Sequence, residues 1–211
     1  MEQRLKEAAQ EGNINKLYEL IREDPCLLEP IDQKPFADTP LHIAAEAGHT
    51  HFALEIMRLK PSFARKLNPS GFSPMHLALQ NGKTQTVTRL VNVDPELVRV
   101  KGREGVTSLH YITEEGDHNL LAEFITVCPK SVEDLTIRNE TALHIAVKNY
   151  LPTALEVLLG GLHQLSISEG SQDLKRKVLD LKDEDGKTVL HIAKSNNQPQ
   201  VSSHPLDFPR A

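Results

Sequence analysis

The sequence lacks a surplus of basic residues, a secretory leader and any long hydrophobic run. Its 24 lysines and arginines against 29 aspartates and glutamates give a net charge of -5, so no basic face is available to follow nucleic-acid phosphates. The first ten residues contain no apolar core of a signal peptide, and the longest apolar run, around Val157, is far too short to span a bilayer. We therefore expect a soluble chain that does not bind nucleic acid.

Motifs of catalysis are missing as well. The chain contains no G-x-S-x-G elbow, no Walker loop, no H-E-x-x-H and no glycine-rich dinucleotide turn. Acidic pairs such as Glu114 and Glu115 are typical of solvated surface rather than of a general acid and base. The sequence thus predicts a protein that is not an enzyme, with no cofactor and no small-molecule substrate.

One motif does recur. It reads T-P-L-H-I-A, S-P-M-H-L-A, T-S-L-H-Y-I, T-A-L-H-I-A and T-V-L-H-I-A, and its histidines are His42, His76, His110, His144 and His191. The first three intervals are 34 residues each, and the fourth is 47, which is one period plus an insertion of 13. A degenerate copy, Leu5 to Gly12, puts Lys6 in the histidine column. A fixed period of this length indicates stacked supersecondary units.

Each copy carries the signals of two helices joined by a turn. Threonine or serine three residues before the histidine is an N-cap, and glycine six residues after it, as at Gly48 and Gly116, ends the first helix in a left-handed conformation. The fourth copy has Tyr150 there, for which we predict a different local turn. Apolar residues 10, 11, 14 and 15 positions after the histidine form the buried stripe of a second helix.

Proline and glycine then set the connection between copies. Proline stands 19 residues after the histidine column at Pro25, Pro61, Pro95 and Pro129, where it stops the second helix. Glycine or asparagine five residues before the next histidine, at Gly71, Gly105, Asn139 and Gly186, predicts a turn tip. Each unit is therefore a helix, a turn, a helix and a projecting β-hairpin.

The histidines have a structural interpretation and a metal-binding alternative. At the third position of the first helix, the imidazole can bond to the threonine cap and to the adjoining turn. Zinc needs nitrogen ligands about 2 Å from one ion, which histidines in successive layers about 10 Å apart cannot supply. His49 and His51 are closer together but lack a third ligand. We therefore predict no metal site.

The two cysteines support the same picture of an intracellular repeat protein. Cys26 and Cys128 lie 102 residues apart, which is three periods, so stacked layers would hold them beyond the reach of a disulfide. We expect both thiols to be reduced, as is usual in the cytoplasm.

The period, the T-P-L-H-x-A motif and the turn tip together resemble the ankyrin repeat, over about Leu5 to Asn197. This implies an all-α solenoid of stacked helix-turn-helix units with projecting hairpin loops. Further stretches, among them E-T-A-L-H-I-A-V-K-N from Glu140 and K-D-E-D-G-K-T-V-L-H-I-A from Lys182, resemble the plant ankyrin-repeat membrane proteins implicated in immunity, of the bian da and accelerated-cell-death type.

The domain boundaries follow from the period. We expect an ankyrin repeat domain over 1–198, with a degenerate repeat at 1–34, repeats at about 35–68, 69–102, 103–136 and 137–182, and a partial repeat at 183–198. Pro199, Pro205 and Pro209 break what should be the last second helix, so 199–211 is predicted to be a divergent, disordered tail. The insertion between Leu159 and Leu179 is interpreted as a surface loop with a short helix. A contact of its basic spot, Lys175 to Lys177, with lipid or a partner is the alternative.

The resemblance implies that other proteins bind to a concave surface made by the turn tips and the first helices. The columns that face it hold Phe36, Glu46, Phe72, Gln80, Asn81, Arg103, Glu104, Glu114, Glu115, Arg138 and Lys148. Shielding of the hairpins by Phe36 and Phe72 is the structural alternative for those two.

Two functions remain open on these grounds. The first is a non-catalytic interaction scaffold in the cytoplasm, acting in plant defence or stress signalling. The second is the cytosolic repeat portion of a membrane-anchored regulator of immunity whose transmembrane segment is missing from this chain, at the cytosolic face of the plasma membrane. Membrane contact is expected only if a longer form carries transmembrane helices.

Overall fold

The computed structural model describes residues 2–168 and 172–196 and divides the chain into two compact units between Arg103 and Glu104. The first unit holds seven described α-helices: α1 (Glu2–Glu11), α2 (Ile14–Glu23), α3 (Glu29–Gln33), α4 (Pro40–Ala47), α5 (Thr50–Leu59), α6 (Pro74–Gln80) and α7 (Thr84–Val93). Helix α4 packs against α1, α5 and α6, so the first helices of successive repeats lie side by side.

The second unit continues the same plan with six described α-helices: α8 (Ser108–Glu115), α9 (His118–Val127), α10 (Ala142–Lys148), α11 (Pro152–Ser168), α12 (Gln172–Asp180) and α13 (Val189–Ser195). Helix α10 packs against α8, α11 and α13, while α11 packs against α9 and α12. Stacked helix pairs therefore build each unit, as the period predicts, and no described helix is long and apolar enough to cross a membrane.

The apolar stripes of the second helices form the core. The predicted stripe residues are buried in all three repeats for which the sequence shows a full set: Phe52, Ala53, Ile56 and Met57; Leu120, Leu121, Phe124 and Ile125; Ala154, Leu155, Leu158 and Leu159. In the second repeat the stripe contains the polar Thr86. Thr86 is nevertheless buried, because its hydroxyl forms a hydrogen bond of 2.8 Å with that of Thr50.

Helix ends fall where the sequence places them. The second helices stop before Pro25, Pro61, Pro95 and Pro129, and the last three prolines begin short 3-10 helices, Pro61–Arg65, Pro95–Arg99 and Pro129–Glu133. The first helices α4 and α8 end at Gly48 and Gly116, whose φ angles of 84° and 77° are left-handed. A side chain would be strained at these dihedrals, which is why glycine is used.

The connections between repeats are tight turns rather than strands. Backbone hydrogen bonds close three of them, from Asn68 N to Phe72 O at 2.8 Å, from Thr136 N to Glu140 O at 3.1 Å and from Asp183 N to Lys187 O at 2.9 Å. In the part of the chain that the structure describes, no β-strand is assigned, so the β-hairpins that the sequence predicts are hairpin-like turns without a ladder.

A hydrogen bond between backbone groups links each turn to its neighbour within a unit. The N–H of Arg103 donates to Gly71 O at 2.8 Å in the first unit. In the second unit the N–H of Ile137 donates to Glu104 O, and the N–H of Glu184 donates to Arg138 O, both at 2.9 Å. The turn tips of one unit are thus held in register with one another.

Two local predictions are wrong. Tyr150 does not form a different turn, because it keeps the left-handed conformation of the glycine column, with φ 57° beside 62° at Gly82. The insertion between Leu159 and Leu179 is not mainly a loop: α11 runs on to Ser168, and α12 follows it. The predicted tail at 199–211, with its three prolines, and the end of the domain at 198 lie outside the described residues.

Candidate partner-binding site

The repeated histidines join each first helix to its cap and to the next turn. The backbone N–H and the hydroxyl of Thr39 both point to His42 Nδ1, at 3.2 and 2.8 Å, so this nitrogen is the acceptor. The other nitrogen, Nε2, carries the proton and donates it to Phe72 O at 3.0 Å. His42 is fully buried, and burial lowers its pKa from 6.5 to about 4 against the opposing effect of the bond to Phe72.

The same arrangement recurs in the second unit. Nε2 of His110 bonds to Glu140 O at 3.1 Å, and Nε2 of His144 bonds to Lys187 O at 3.3 Å. Burial also lowers the pKa of His144. Among the described residues, no three histidine, cysteine or acidic side chains are grouped as metal ligands. The hydrogen bonds of the ring nitrogens support the structural interpretation of the histidine column.

In the first unit the predicted partner-binding residues are mostly exposed. The side chains of Glu46, Gln80, Asn81 and Arg103 are exposed, and Phe36 is 62% exposed. Phe72 is only half-exposed, with its ring centroid 6.4 Å from that of His76, which fits the shielding alternative. Asn81 donates its side-chain amide to Leu77 O at 2.9 Å and so closes the end of α6.

In the second unit four of the predicted residues come together. Glu104, Glu114, Arg138 and Lys148 line one pocket of about 340 Å³ at the turn tips and the ends of α8 and α10. Its other lining residues are Val106, Thr136, Ile137, Glu140, Ile145 and Asn149. Glu115, which the sequence also assigns to the site, is exposed but does not line the pocket.

The sequence analysis missed the apolar part of this pocket. Ile137 is 69% exposed, one of the most exposed large apolar side chains in the described residues. The signal was available, because Ile137 stands seven residues before His144, in the same column as Arg103 before His110. The residues predicted for the surface are aromatic, charged or amide side chains, and Ile137 is not among them.

The lysine that lines the pocket already forms ion pairs within the protein. Lys148 Nζ lies 2.7 Å from Glu140 Oε1 and 2.8 Å from Asp183 Oδ2, and the Asp183 side chain is fully buried. Burial opposes the charge of Lys148, but its ion pair with Asp183 and its hydrogen bond to Glu140 outweigh this effect and raise its pKa. Lys148 therefore joins the fourth repeat to the turn before α13, a role that the sequence analysis did not anticipate.

The acidic residues Glu104 and Glu114, which also line the pocket, have no such ion pair within the described part of the chain. No basic side chain among the described residues forms an ion pair with Glu104 or Glu114, whereas Arg138 Nε lies 3.9 Å from Glu184 Oε1. Glu104 also holds a left-handed backbone, with φ 57°. Non-glycine residues in this region are strained by about 1 kcal/mol or more and persist only where the surrounding structure fixes them. Here the bond from Ile137 N–H does so.

The structure consists of paired helices whose caps are hydrogen-bonded to histidines, and its turn tips form a pocket. These features are typical of a helical repeat protein that binds other proteins. Residues 5–101 match the family described as Ankyrin repeats (3 copies). This part of the chain therefore carries ankyrin repeats, and a segment of the chain resembles a curated plant relative. That relative is the ankyrin repeat-containing protein BDA1 of Arabidopsis thaliana, with 45% identity over 73 residues, which are 35% of this chain and 17% of the relative.

Solved structures show the same fold. A chain in the complex of the Bd0816 predatory endopeptidase from Bdellovibrio bacteriovorus with immunity protein Bd3460 aligns with 92% of this chain, and 93% of that chain is covered. The TM-score is 0.62 at 22% sequence identity. At this identity the likeness concerns the fold alone, which is an all-α ankyrin-repeat solenoid.

Proposed function

We propose that the protein is a non-catalytic scaffold that binds other proteins through its turn tips and first helices, the surface that the sequence predicts to be concave. Ankyrin repeats are typically interaction modules without catalytic activity. The observation that carries the proposal is the pocket of the second unit, where four sequence-predicted residues and the exposed Ile137 line the same cavity. Exposed apolar side chains beside polar and charged ones are typical of interaction sites.

The test is capture of partners from the native cell by proximity labelling, followed by binding of each purified candidate to the purified chain. Ile137→Ser should weaken the binding, because it removes apolar area from the pocket without touching the core. Val93→Ser is the matched control, since Val93 is 61% exposed, at the end of α7 in the other unit. Loss of binding in neither variant, or equal loss in both, would reject the proposed surface.

A second candidate function is supported by the likeness to BDA1. The repeats would then be the cytosolic part of a membrane-anchored regulator of plant immunity, and the chain would act at the cytosolic face of the plasma membrane. Only 17% of that relative is matched, so its activity and its partners enter only as this proposal. Sequencing of the full transcript together with membrane fractionation tests it. A product with no apolar segment of about 20 residues, found only in the soluble fraction, would argue against it.

A further inference from the structure

We infer that the pocket of the second unit binds a basic side chain that is flanked by an apolar one in a segment of a protein partner. The inference rests on the proposed function and adds the chemistry of the partner. Its occupant would be an extended peptide segment carrying arginine or lysine next to a residue such as leucine or isoleucine.

The first step of the argument is the balance of charge in the pocket. Lys148 forms close ion pairs with Glu140 and Asp183, whereas Arg138 forms only a loose surface pair with Glu184, at 3.9 Å. The lining holds these two cations beside the three carboxylates of Glu104, Glu114 and Glu140. The carboxylates of Glu104 and Glu114 have no basic partner among the described residues. The pocket therefore presents uncompensated negative charge, and a cation is the complementary group.

The second step is the position of these carboxylates beside apolar area. Glu104 and Ile137 are joined by the backbone bond of 2.9 Å from Ile137 N–H to Glu104 O, so the acidic and the apolar side chains start from adjacent points. Val106 and Ile145 add apolar surface to the same lining. A long basic side chain can lay its methylene groups on this surface while its charged end meets the rim, and a neighbouring apolar side chain can cover Ile137.

The third step concerns size and order. The volume of about 340 Å³ is at the lower end of the range for ligand pockets, about 300 to 1,000 Å³, and suits one or two side chains rather than a folded surface. The backbone bonds between turn tips hold the rim in place before binding. A preformed rim lowers the entropic cost of binding a flexible segment.

An anionic occupant fits these observations poorly. Arg138 is the one cation of the lining that an anion could reach, because its pair with Glu184 at 3.9 Å is loose and exposed. A phosphate or an acidic peptide that also recruited Lys148 would leave the fully buried Asp183 without its partner at 2.8 Å. Leaving a buried charge uncompensated is among the costlier changes in a protein. The arrangement thus favours cations over anions by its structure as well as by its net charge.

The experiment is selection of short random peptides displayed on phage against the immobilised full chain. We expect the peptides to be enriched in arginine or lysine next to an apolar residue. The double variant Glu104→Lys/Glu114→Lys should lose this enrichment and favour aspartate or glutamate instead. Glu156→Lys is the control, because Glu156 is exposed on α11 and does not line the pocket. Selected peptides without basic residues, or the same basic peptides from the double variant, would overturn the inference.

A thermodynamic cycle then locates the contact. A selected arginine peptide and its citrulline analogue, which is uncharged but nearly the same shape, are titrated into the wild-type chain and into Glu104→Gln/Glu114→Gln. We expect citrulline to weaken binding about tenfold in the wild-type chain and only about twofold in the variant, as for a charge-assisted contact. Equal loss in both proteins would place the cation elsewhere and reject the inference.

The outcomes separate this inference from the proposed function. If peptides bind, are lost with Ile137→Ser and carry no basic residue, the scaffold stands and the chemistry of its partner is wrong. If no peptide or protein binding depends on Ile137, the proposed surface itself fails. A basic segment of a second copy of this chain would appear as self-association in sedimentation that Glu104→Lys/Glu114→Lys abolishes, and would contradict a separate partner.

Discussion

At the scale of single residues, a buried imidazole whose Nδ1 already faces two donors has no place for a second proton. His42 meets both the N–H and the hydroxyl of Thr39 at this nitrogen. Protonation would set an N–H against an N–H inside the core, in addition to the cost of burying the charge. The repeat is therefore built around neutral histidine.

This makes the stability of the protein depend on pH. Because the pKa of His42 falls from 6.5 to about 4 on folding, the unfolded chain binds more protons between these values. The contribution of neutral His42 to the free energy of unfolding is complete above about pH 6.5. It is lost as the pH falls toward 4, by about 1.4 kcal/mol per pH unit. Urea unfolding across this range should show a steeper loss in the wild type than in His42→Gln.

A second measurement needs no substitution. The pH titration of the His42 ring in the wild-type chain, followed by NMR, should show its midpoint well below that of an exposed histidine. A midpoint near the ordinary value of about 6.5 would contradict the neutral, buried ring.

Tyr150 gives a second prediction at this scale. It holds a left-handed backbone in the column where other repeats have glycine, and its side chain is 61% exposed, so little packing opposes its removal. Tyr150→Gly should raise the free energy of unfolding by about 0.5 to 1 kcal/mol, measured by urea denaturation. Tyr150→Ala is the control, because alanine keeps the strain and should give no such gain. Equal gains in both would show that strain is not the cause.

The role of the histidines was predictable, and the conformation of Tyr150 was not. The histidine is fixed by local geometry, since cap and ring lie three residues apart in one helical turn. The turn at Tyr150 is fixed by the packing of α10 against α11. This packing requires the chain to reverse direction at this position, whichever residue stands there. The sequence shows that a left-handed backbone strains a tyrosine. It does not show the helix packing whose stabilisation outweighs that strain.

At the scale of elements, α11 departs from the repeat by its length, and it contains two adjacent glycines in different surroundings. A Cβ at Gly161 would lie 2.6 Å from Ile125 Cγ2, so the missing side chain lets α11 approach α9 closely. A Cβ at Gly160 would meet nothing within 4 Å. Neighbouring positions of one helix thus have opposite requirements.

We predict opposite effects of the same substitution at the two positions. Gly160→Ala should stabilise the protein by about 0.5 to 1 kcal/mol, because alanine loses less conformational freedom in a helix. Gly161→Ala should destabilise it by about 1 to 3 kcal/mol through overpacking against Ile125. Urea unfolding of both variants is the measurement, and a gain at Gly161 would show that the two helices are not in close contact.

Elements that follow the period were predictable, whereas those in the insertion were not. Between Leu159 and Leu179 the sequence has no cap and proline signals at repeat spacing, so the period gives no position for a helix end there. The helix continues because Leu158, Leu159 and Leu162 are buried on one side of it. Likewise, the columns located Glu104 and Glu114 in the site, but the pairing of Lys148 with Asp183 depends on a contact 35 residues away.

At the scale of the whole molecule, stability is expected to come from the burial of each repeat against its neighbours. Leu143 is 2% exposed in α10, which packs against α8, α11 and α13, whereas Glu115 is exposed. Leu143→Ala should lower the free energy of unfolding by about 2 to 5 kcal/mol, and Glu115→Ala should change it by less than about 0.5 kcal/mol. Thermal and urea unfolding measure both, and similar melting of the two variants would contradict the assigned core.

The backbone bonds between turn tips have a consequence for how occupancy of the site can be observed. The amide of Ile137 is tied to Glu104, and the amide of Glu184 is tied to Arg138. A ligand that holds the rim would slow the opening of these bonds, so the exchange of both amides with deuterium should decrease together. Two amide protons, 47 residues apart in sequence, would then act as one built-in reporter of binding, without any label on the protein.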